Sequence, residues 1–395
     1  MFLPSFYQGR VIYLDHSATT PVAPEVVEVM VPYLNRIYGN ASSLHKLGRD
    51  AREAIEYSRF FIADKLGAEG DEIIFTGSGT ESDNLAILGT AYKLKKYGKH
   101  VITSNIEHPA VMNVFKKLKV DGFDVTTLEV DNNGLIYPDQ VQDAIRSDTI
   151  LISIMFVNNE IGTIMPIKEI AEITSQNNII FHTDAVQALG KLPINLKEIK
   201  VDLLSASAHK IYGPKGIGLL FIRNGGKHKK YERYIQPIIF GGGHEFGYRS
   251  ATENVAGIVG FAKAIELAYN DLERECERLT RLRDDFIDWS LKNIDGVRLN
   301  GDRIKRVCTN INLSFKGIDG SDLLKKLDEY GICVSTGSAC HSKSREPSYV
   351  LTAIGLDTET SNSSIRITLG RSSNEKDLDF VKKVLKDCVN ELRKK

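Results

Sequence analysis

Short apolar runs that favour β-strands alternate with helix-like segments through the middle of this chain of 395 residues. The alternation predicts a mostly parallel β-sheet covered by helices on both faces. Ligands bind to such sheets beyond the carboxyl ends of the strands, so polar residues that directly follow the strand-like runs are the candidate functional residues. The strand candidates are residues 72–77, 100–105, 150–159, 178–185, 201–208 and 218–223.

The pattern changes near residue 258, which indicates a second structural unit. A long charged stretch, residues 259–292, has apolar residues at the spacing of an amphipathic helix. Because 395 residues exceed the size at which one core keeps growing, we predict two domains. The large domain is predicted over 16–258, and a smaller α+β domain over 1–15 and 259–395. The later elements are predicted as strands at 309–315, 331–336 and 364–370 and as helices at 321–330 and 374–394.

Composition argues against several classes of protein. Lysine plus arginine and aspartate plus glutamate each number 51, and this zero net charge argues against nucleic-acid binding. Residues 227–234 form a local basic patch, and we interpret this segment as a solvated loop or insertion. The apolar run 150–157 is too short to cross a bilayer, and the N-terminus lacks the apolar region of a signal peptide. Five cysteines without a CxxC spacing argue against a disulfide framework or a zinc site and favour the cytoplasm.

Asp184 and Lys210 each follow the apolar part of a strand candidate. Pyridoxal phosphate (PLP) chemistry needs a lysine amine that forms a Schiff base with the aldehyde and a carboxylate that keeps the pyridine nitrogen protonated. An unpaired carboxylate after an apolar strand is costly, so Asp184 needs a cationic partner. Lys215 is the alternative lysine, but its Gly-Pro-Lys-Gly setting is typical of a structural turn.

The segment 73–87 is predicted as a strand, a glycine-rich turn and the start of a helix. Gly79 allows a ligand to approach the backbone, and the neighbouring Ser78 and Thr80 supply hydroxyl groups. The N–H groups at a helix N-terminus favour an anion such as phosphate. An ordinary turn remains the alternative for this motif alone.

Further polar residues lie at the same predicted edge of the sheet. His108 follows the second strand candidate and can stack on a flat ring or exchange protons, although a partly exposed histidine is the alternative. Asn159 ends the third strand candidate, where a hydrogen bond to a cofactor oxygen or a simple turn would both fit. Gln187 lies one helical turn after the candidate carboxylate, and Ser207 and His209 flank the candidate lysine as phosphate donors.

Together these motifs resemble the cysteine desulfurases, a group within the class V aminotransferase family of fold-type-I PLP enzymes. The resemblance implies a large PLP-binding domain with a mostly parallel seven-stranded sheet between helices, and a smaller α+β domain built from both chain ends. It covers nearly the whole chain through YLDHSATTPV, FTGSGTESDNLAI, NNEIG, HTDAVQALGKLPI, SAHKIYGPKGIG, GGGHEFGYRSATENV, STGSACHSKSREPSYVL and SIRITLGR.

The resemblance also implies roles for individual residues. Thr252 would reach the phosphate bound to the partner subunit, which implies an obligate homodimer. Arg366 would clamp the substrate α-carboxylate, with Asn159 nearby, a task that suits a bidentate guanidinium. For the cofactor, the resemblance implies that Lys210 forms the covalent attachment and that Asp184 pairs with the ring nitrogen. His108 would stack on the ring and take part in catalysis, and Asn159 and Gln187 would bind the ring oxygen. The implied phosphate contacts are Gly79, Thr80, Ser207 and His209.

Cys340 is the candidate sulfur acceptor. It lies in a stretch of small, polar and basic residues that predicts a mobile surface loop, where Lys343 and Arg345 would favour the thiolate. The family places its persulfide cysteine there. The implied reaction converts L-cysteine to L-alanine, and the Cys340 persulfide then supplies an acceptor protein in iron–sulfur cluster assembly, tRNA thiolation or cofactor synthesis. No resident metal is expected, but transient ligation of an iron–sulfur cluster by Cys340 is left open.

Other functions are compatible with the same scaffold. A selenocysteine lyase would differ in its preference for selenocysteine. An aminotransferase or decarboxylase of this fold would not need Cys340, and a scaffold protein without catalysis would not need Lys210. The remaining cysteines are predicted to be incidental: Cys276, Cys308, Cys333 and Cys388.

Overall fold

The computed structural model describes residues 11–224, 234–337 and 346–394. In these ranges the strands are β1 Ile12–Tyr13, β2 Ile73–Thr76, β3 His100–Ser104, β4 Asp124–Leu128, β5 Thr149–Ser153, β6 Ile180–Asp184, β7 Leu203–Ser207, β8 Gly218–Ile222, β9 Val297–Leu299, β10 Asn310–Phe315, β11 Ile332–Cys333 and β12 Ser364–Thr368. The α-helices are α1 Pro24–Asn35, α2 Lys46–Leu66, α3 Gly79–Leu94, α4 Pro109–Val120, α5 Pro138–Ala144, α6 Ile167–Gln176, α7 Val255–Asn270, α8 Leu272–Asn293, α9 Gly320–Glu329, α10 Tyr349–Ala353, α11 Thr358–Asn362 and α12 Glu375–Leu392.

The central sheet has seven strands in the order β2-β8-β7-β6-β5-β3-β4. Only β8 runs antiparallel to its neighbours in this sheet. Its inner strands β5, β6 and β7 are buried along their whole length, as expected for a sheet covered on both faces. The prediction of a mostly parallel seven-stranded α/β sheet is therefore confirmed.

The two ends of the described chain meet. Strand β1 pairs in parallel with β11, and Asp15 forms a bridge with Thr368 in β12. A separate antiparallel sheet has the order β12-β10-β9. The N-terminal residues are thus fixed by the C-terminal third of the chain, while the domain boundaries remain a prediction.

Three details differ from the expectations drawn from sequence. The single helix predicted over 259–292 is two helices, because the backbone of Asp271 leaves the helical region between α7 and α8. The strand predicted over 150–159 ends at Ser153. Strand β4 was not predicted, since it is a partly exposed edge strand with two threonines and little apolar character.

No helix in the described ranges is both long enough and apolar enough to cross a membrane.

Candidate active site

A cavity of about 280 Å³ opens beyond the carboxyl ends of the central strands. Ten of the residues singled out from sequence line it, so residues far apart in the chain share one site. They are Gly79, Thr80, His108, Asn159, Asp184, Gln187, Ser207, His209, Lys210 and Arg366.

Lys210 lies in the short 3₁₀ turn that follows β7. Its Nζ donates hydrogen bonds to the carbonyl oxygens of Ser17 at 2.6 Å and Ala18 at 2.7 Å. Burial, followed by the charges of Lys191 and Arg366, lowers the pKa of Lys210 to about 7. A substantial fraction of the amine is therefore neutral at pH 7 and able to attack an aldehyde.

Lys215 does not share this environment. Its side chain is exposed, and it does not line the cavity. It precedes Gly216, whose φ of +79° marks the turn expected from the Gly-Pro-Lys-Gly sequence. The surroundings therefore favour Lys210 as the cofactor lysine.

Asp184 is the last residue of β6, and its side chain is buried. Its Oδ1 accepts a hydrogen bond from the backbone N–H of Val186 at 2.9 Å. Burial raises the pKa of Asp184, whereas the neighbouring His108 and Lys210 lower it. A cationic pyridine nitrogen in the cavity would favour the ionised carboxylate by the same physical effect.

Two further buried acids surround Asp184 and were missed from sequence. Asp83 lines the cavity from α3, and burial followed by the charge of Asp184 raises the pKa of its carboxyl group. Burial also raises the pKa of Glu107 to about 8. His182 Nε2 lies 3.6 Å from Asp83 Oδ1. For Asp83 the sequence did carry a signal, because an acid on the buried face of a largely apolar helix needs a polar partner.

The N-terminus of α3 forms one end of the cavity. Ser78 caps the helix by accepting a hydrogen bond from the N–H of Glu81 at 3.1 Å. A Cβ on Gly79 would lie 2.8 Å from Cγ2 of Val186, so glycine is required for this close packing. Thr80 follows with an exposed side chain. Free N–H groups and hydroxyls at this point suit a phosphate group.

The lysine turn adds two donors beside this helix. Ser207 ends β7 and is buried, and His209 Nδ1 lies 3.1 Å from Thr19 Oγ1. Burial lowers the pKa of His209 to about 4, so the imidazole is neutral at pH 7. A neutral imidazole or a hydroxyl can donate a hydrogen bond to phosphate.

His108 and Asn159 lie on the walls of the cavity. His108 caps α4, and its Nδ1 accepts a hydrogen bond from the N–H of Ala110 at 3.1 Å. Burial lowers the pKa of His108. Asn159 follows β5 by several residues and does not end a strand as predicted, but its buried Oδ1 has no hydrogen-bond partner. Such an orphaned polar atom is explained by a polar ligand in the cavity.

Gln187 connects the cavity to the N-terminal segment. Its Nε2 donates to the carbonyl oxygen of Ser17 at 3.0 Å, and its Oε1 accepts from Lys191 Nζ at 2.8 Å. The amide is therefore held in place in the cavity wall.

Arg366 reaches the cavity from β12 and is 2% exposed. Nη2 donates to Asp15 Oδ1 at 2.8 Å, and Nη1 donates to the carbonyl oxygen of Asn159 at 3.1 Å. Its Nε is buried without a partner. The guanidinium is thus fixed in orientation and retains a donor for a substrate carboxylate.

One predicted site residue does not line this cavity, and another lies outside the described residues. Thr252 is exposed on the surface of the single chain. Cys340, with Lys343, Arg345 and nearly all of the basic segment 227–234, lies outside the described residues. Within the described ranges, no group of three or more histidine, cysteine, aspartate or glutamate side chains is arranged to hold a metal ion.

The cavity fits PLP. It combines a lysine amine with a pKa of about 7, a buried carboxylate, a helix N-terminus for phosphate and an unpaired amide oxygen. These features on an α/β sheet define the class of PLP-dependent enzymes. The aminotransferase class-V pattern matches residues 12–381, and the chain belongs to that family.

Similar proteins extend over almost the whole chain. The chain is 51% identical over 384 residues to cysteine desulfurase IscS of Dictyoglomus turgidum, an alignment that covers 97% of this chain and 96% of that protein. It is 50% identical over 386 residues to cysteine desulfurase IscS of Methanosarcina thermophila, with 98% and 94% covered.

Solved structures agree with this relationship. A NifS-like protein aligns with a TM-score of 0.89 at 35% identity, covering 97% of this chain and 100% of the other. SspA, solved in complex with cysteine, aligns with a TM-score of 0.79 at 38% identity, covering 90% of this chain and 98% of the other.

Proposed function

We propose that this protein is a PLP-dependent cysteine desulfurase that converts L-cysteine to L-alanine and transfers the sulfur to Cys340. The observation that carries the proposal is the meeting of Lys210, Asp184 and Arg366 around one cavity, in a chain about half identical to cysteine desulfurases over nearly its full length. Lysine and aspartate suit the cofactor, and the arginine suits the carboxylate of an amino acid.

The roles of the residues follow from their environments. PLP, when bound, supplies an electron sink for negative charge at the substrate Cα. Asp184 holds the ring nitrogen protonated, and Arg366 orients the substrate through its carboxylate. Lys210 removes the Cα proton, because its low pKa leaves a neutral amine at pH 7. His108 covers the ring and holds a proton during the reaction.

The remaining cavity residues hold the cofactor. Asn159 and Gln187, which line the cavity, would bind its ring oxygen. The phosphate group is bound at the N-terminus of α3 by backbone and side-chain donors, which are Gly79, Thr80, Ser207 and His209.

Cys340 completes the reaction by attack of its thiolate on the substrate sulfur. The sulfur–sulfur bond of a persulfide forms and the bond between Cβ and sulfur breaks. Cβ then takes a proton, and Cα takes back the proton that Lys210 removed, which gives alanine. The Cys340 persulfide then supplies an acceptor protein, and we include iron–sulfur cluster assembly among its destinations. Recognition of that protein, and any transient cluster ligation, would involve the segment around Cys340.

The test is to measure alanine and persulfide from L-cysteine with the wild type and Cys340→Ala. We expect the variant to retain the PLP absorbance and to lose persulfide formation, while Cys388→Ala, a control at a buried helical cysteine, retains both. Full persulfide transfer by Cys340→Ala would move the role to another thiol. No alanine from PLP-loaded wild type, with turnover of selenocysteine instead, would contradict cysteine as the substrate.

We also propose a homodimer in which Thr252 reaches the partner's phosphate site. Large apolar side chains are exposed on and beside α1 and α2, including Leu34 at 66% and Tyr57 at 73%. Large exposed apolar side chains on two helices that both pack against α7 suit a protein interface. Light scattering should give twice the chain mass, and Leu34→Glu should weaken the dimer and PLP retention together. A monomeric wild type that retains PLP would contradict the dimer.

We also propose a division into two domains and a cytoplasmic location. The separate β12-β10-β9 sheet and the β1–β11 pairing support a large domain over 16–258 and a smaller one over 1–15 and 259–395. The cysteines within the described ranges are free, which supports a reducing compartment such as the cytoplasm. Limited proteolysis tests the domain division, because cleavage is expected at the proposed boundary. Cell fractionation tests the compartment, because the protein is expected in the cytoplasmic fraction.

A further inference from the structure

A second cavity of about 260 Å³ lies next to the cofactor cavity, and Lys210 lines both. Two cysteines line this second cavity, Cys276 from α8 and Cys308 from the segment before β10. Lys191 also lines it. The proposed desulfurase reaction assigns no role to these thiols.

The two sulfur atoms are in contact although 32 residues separate them in sequence. Cys308 Sγ donates a hydrogen bond to Cys276 Sγ at 3.5 Å, and Cys276 Sγ donates to the carbonyl oxygen of Lys191 at 3.1 Å. Cys276 is half-buried and Cys308 is buried. A small molecule that enters the cavity would therefore meet Cys276 first, with Cys308 directly behind it.

The environment makes the two thiols chemically different. The hydrogen bond from Cys308 lowers the pKa of Cys276, and the charge of Lys191 lowers it further. The same hydrogen bond and burial raise the pKa of Cys308. A half-buried thiol of lowered pKa, in contact with a buried thiol of raised pKa, is the arrangement of an attacking and a resolving cysteine.

The other described cysteines lack this arrangement. Cys333 is half-buried and Cys388 is buried, and burial raises the pKa of both thiols. Neither lines the second cavity. They therefore serve as controls for nonspecific oxidation.

We propose that Cys276 and Cys308 are a redox modification site, at which hydrogen peroxide converts the two thiols to a reversible disulfide. The Cys276 thiolate attacks one peroxide oxygen, the O–O bond breaks, and a sulfenic acid and hydroxide form. The Cys308 sulfur then attacks the sulfenic sulfur, the disulfide forms, and its proton leaves with the displaced hydroxide as water. Two thiols are oxidised and one peroxide is reduced to two waters.

The contacts of Cys276 connect this modification to the cofactor site. In the disulfide, Cys276 no longer has a thiol hydrogen to donate to the Lys191 carbonyl. Lys191 Nζ holds Gln187 Oε1 at 2.8 Å, and its charge lowers the pKa of Lys210. We therefore expect oxidation to change the pH dependence of the PLP absorbance in the loaded protein.

The experiment treats PLP-loaded Cys340→Ala protein with hydrogen peroxide, because this background removes the proposed loop nucleophile. Trypsin releases Cys276 in residues 275–278 and Cys308 in residues 307–316. We expect mass spectrometry to find these peptides cross-linked with the loss of two hydrogen atoms, and dithiothreitol to separate them. Recovery of both peptides with free thiols, or a link from either cysteine to another one, would overturn the proposal.

A second variant distinguishes the two roles. With Cys308→Ser added, Cys276 has no resolving thiol, so dimedone should trap its sulfenic acid. Cys388→Ser, a matched change at a buried cysteine, should leave the cross-link intact. An unmodified Cys276 in a Cys308→Ser protein that retains its PLP absorbance would overturn the assignment of Cys276 as the attacking thiol. None of these readouts depends on desulfurase activity.

Discussion

The low pKa of Lys210 predicts an unusual pH dependence for covalent attachment of PLP to the apoprotein. An ordinary lysine, with a pKa of 10.5, is neutral in about one molecule in three thousand at pH 7. A pKa of about 7 leaves about half of the Lys210 amines neutral. The site therefore provides roughly a thousandfold more of the attacking amine at neutral pH.

The perturbation that tests this reasoning is Lys191→Met. The charge of Lys191 is, after burial, the largest cause that lowers the pKa of Lys210. Its removal should raise that pKa and reduce the neutral fraction at pH 7. Lys215→Ala is the control, because Lys215 is an exposed lysine outside the cavity.

The assay is the rate of PLP attachment, followed by absorbance from about pH 5 to about pH 10. For the wild type and the control we expect the rate to rise about tenfold per pH unit up to about pH 7 and then to level off. For Lys191→Met, the pH at which the attachment rate levels off should be higher. A wild-type rate that continues to rise above about pH 9 would refute the reasoning, since it would indicate an ordinary lysine.

Three further substitutions test the packing and the site. Arg59→Ala should lower the free energy of unfolding, measured with urea, by about 3–5 kcal/mol, because Arg59 Nη2 pairs with the buried Glu245 Oε1 at 2.8 Å. A decrease of less than about 1 kcal/mol would contradict this. Gly79→Ala should weaken PLP binding roughly tenfold in equilibrium dialysis, because its Cβ would lie 2.8 Å from Val186; unchanged binding would show that the helix end adjusts. Arg366→Lys should raise KM for L-cysteine by about tenfold or more, since a bidentate donor is lost; an unchanged KM would remove Arg366 from substrate binding.

Much of the site could be predicted because polar residues follow apolar strands. Asp184 and Lys210 end or directly follow strands of the sheet, so the strand pattern alone placed them at one edge. Asn159 lines the cavity for another reason, because it lies in a turn after the end of β5. Asn159 therefore lines the cavity although it does not end a strand, and its role there stays a prediction.

Long-range contacts between ordinary residues were not predictable in the same way. Cys276 and Cys308 were interpreted as incidental, yet folding brings their sulfur atoms to 3.5 Å. The helix break at Asp271 was missed because the amphipathic spacing continues on both sides. Such features depend on how elements pack, and a periodic pattern carries no information on that.

The contact between the two chain ends has a consequence during protein synthesis. Arg366 Nη2 binds Asp15 Oδ1 at 2.8 Å, and the N–H of Ser17 donates to Thr368 Oγ1 at 3.0 Å. Asp15 and Ser17 are thus positioned by residues made 351 positions later, although nascent domains generally begin to fold from the N-terminus. A nascent chain that already contains Lys210 lacks Arg366, the proposed substrate-binding arginine, until β12 leaves the ribosome. Translation products that stop before β12 therefore lack the proposed amino-acid site.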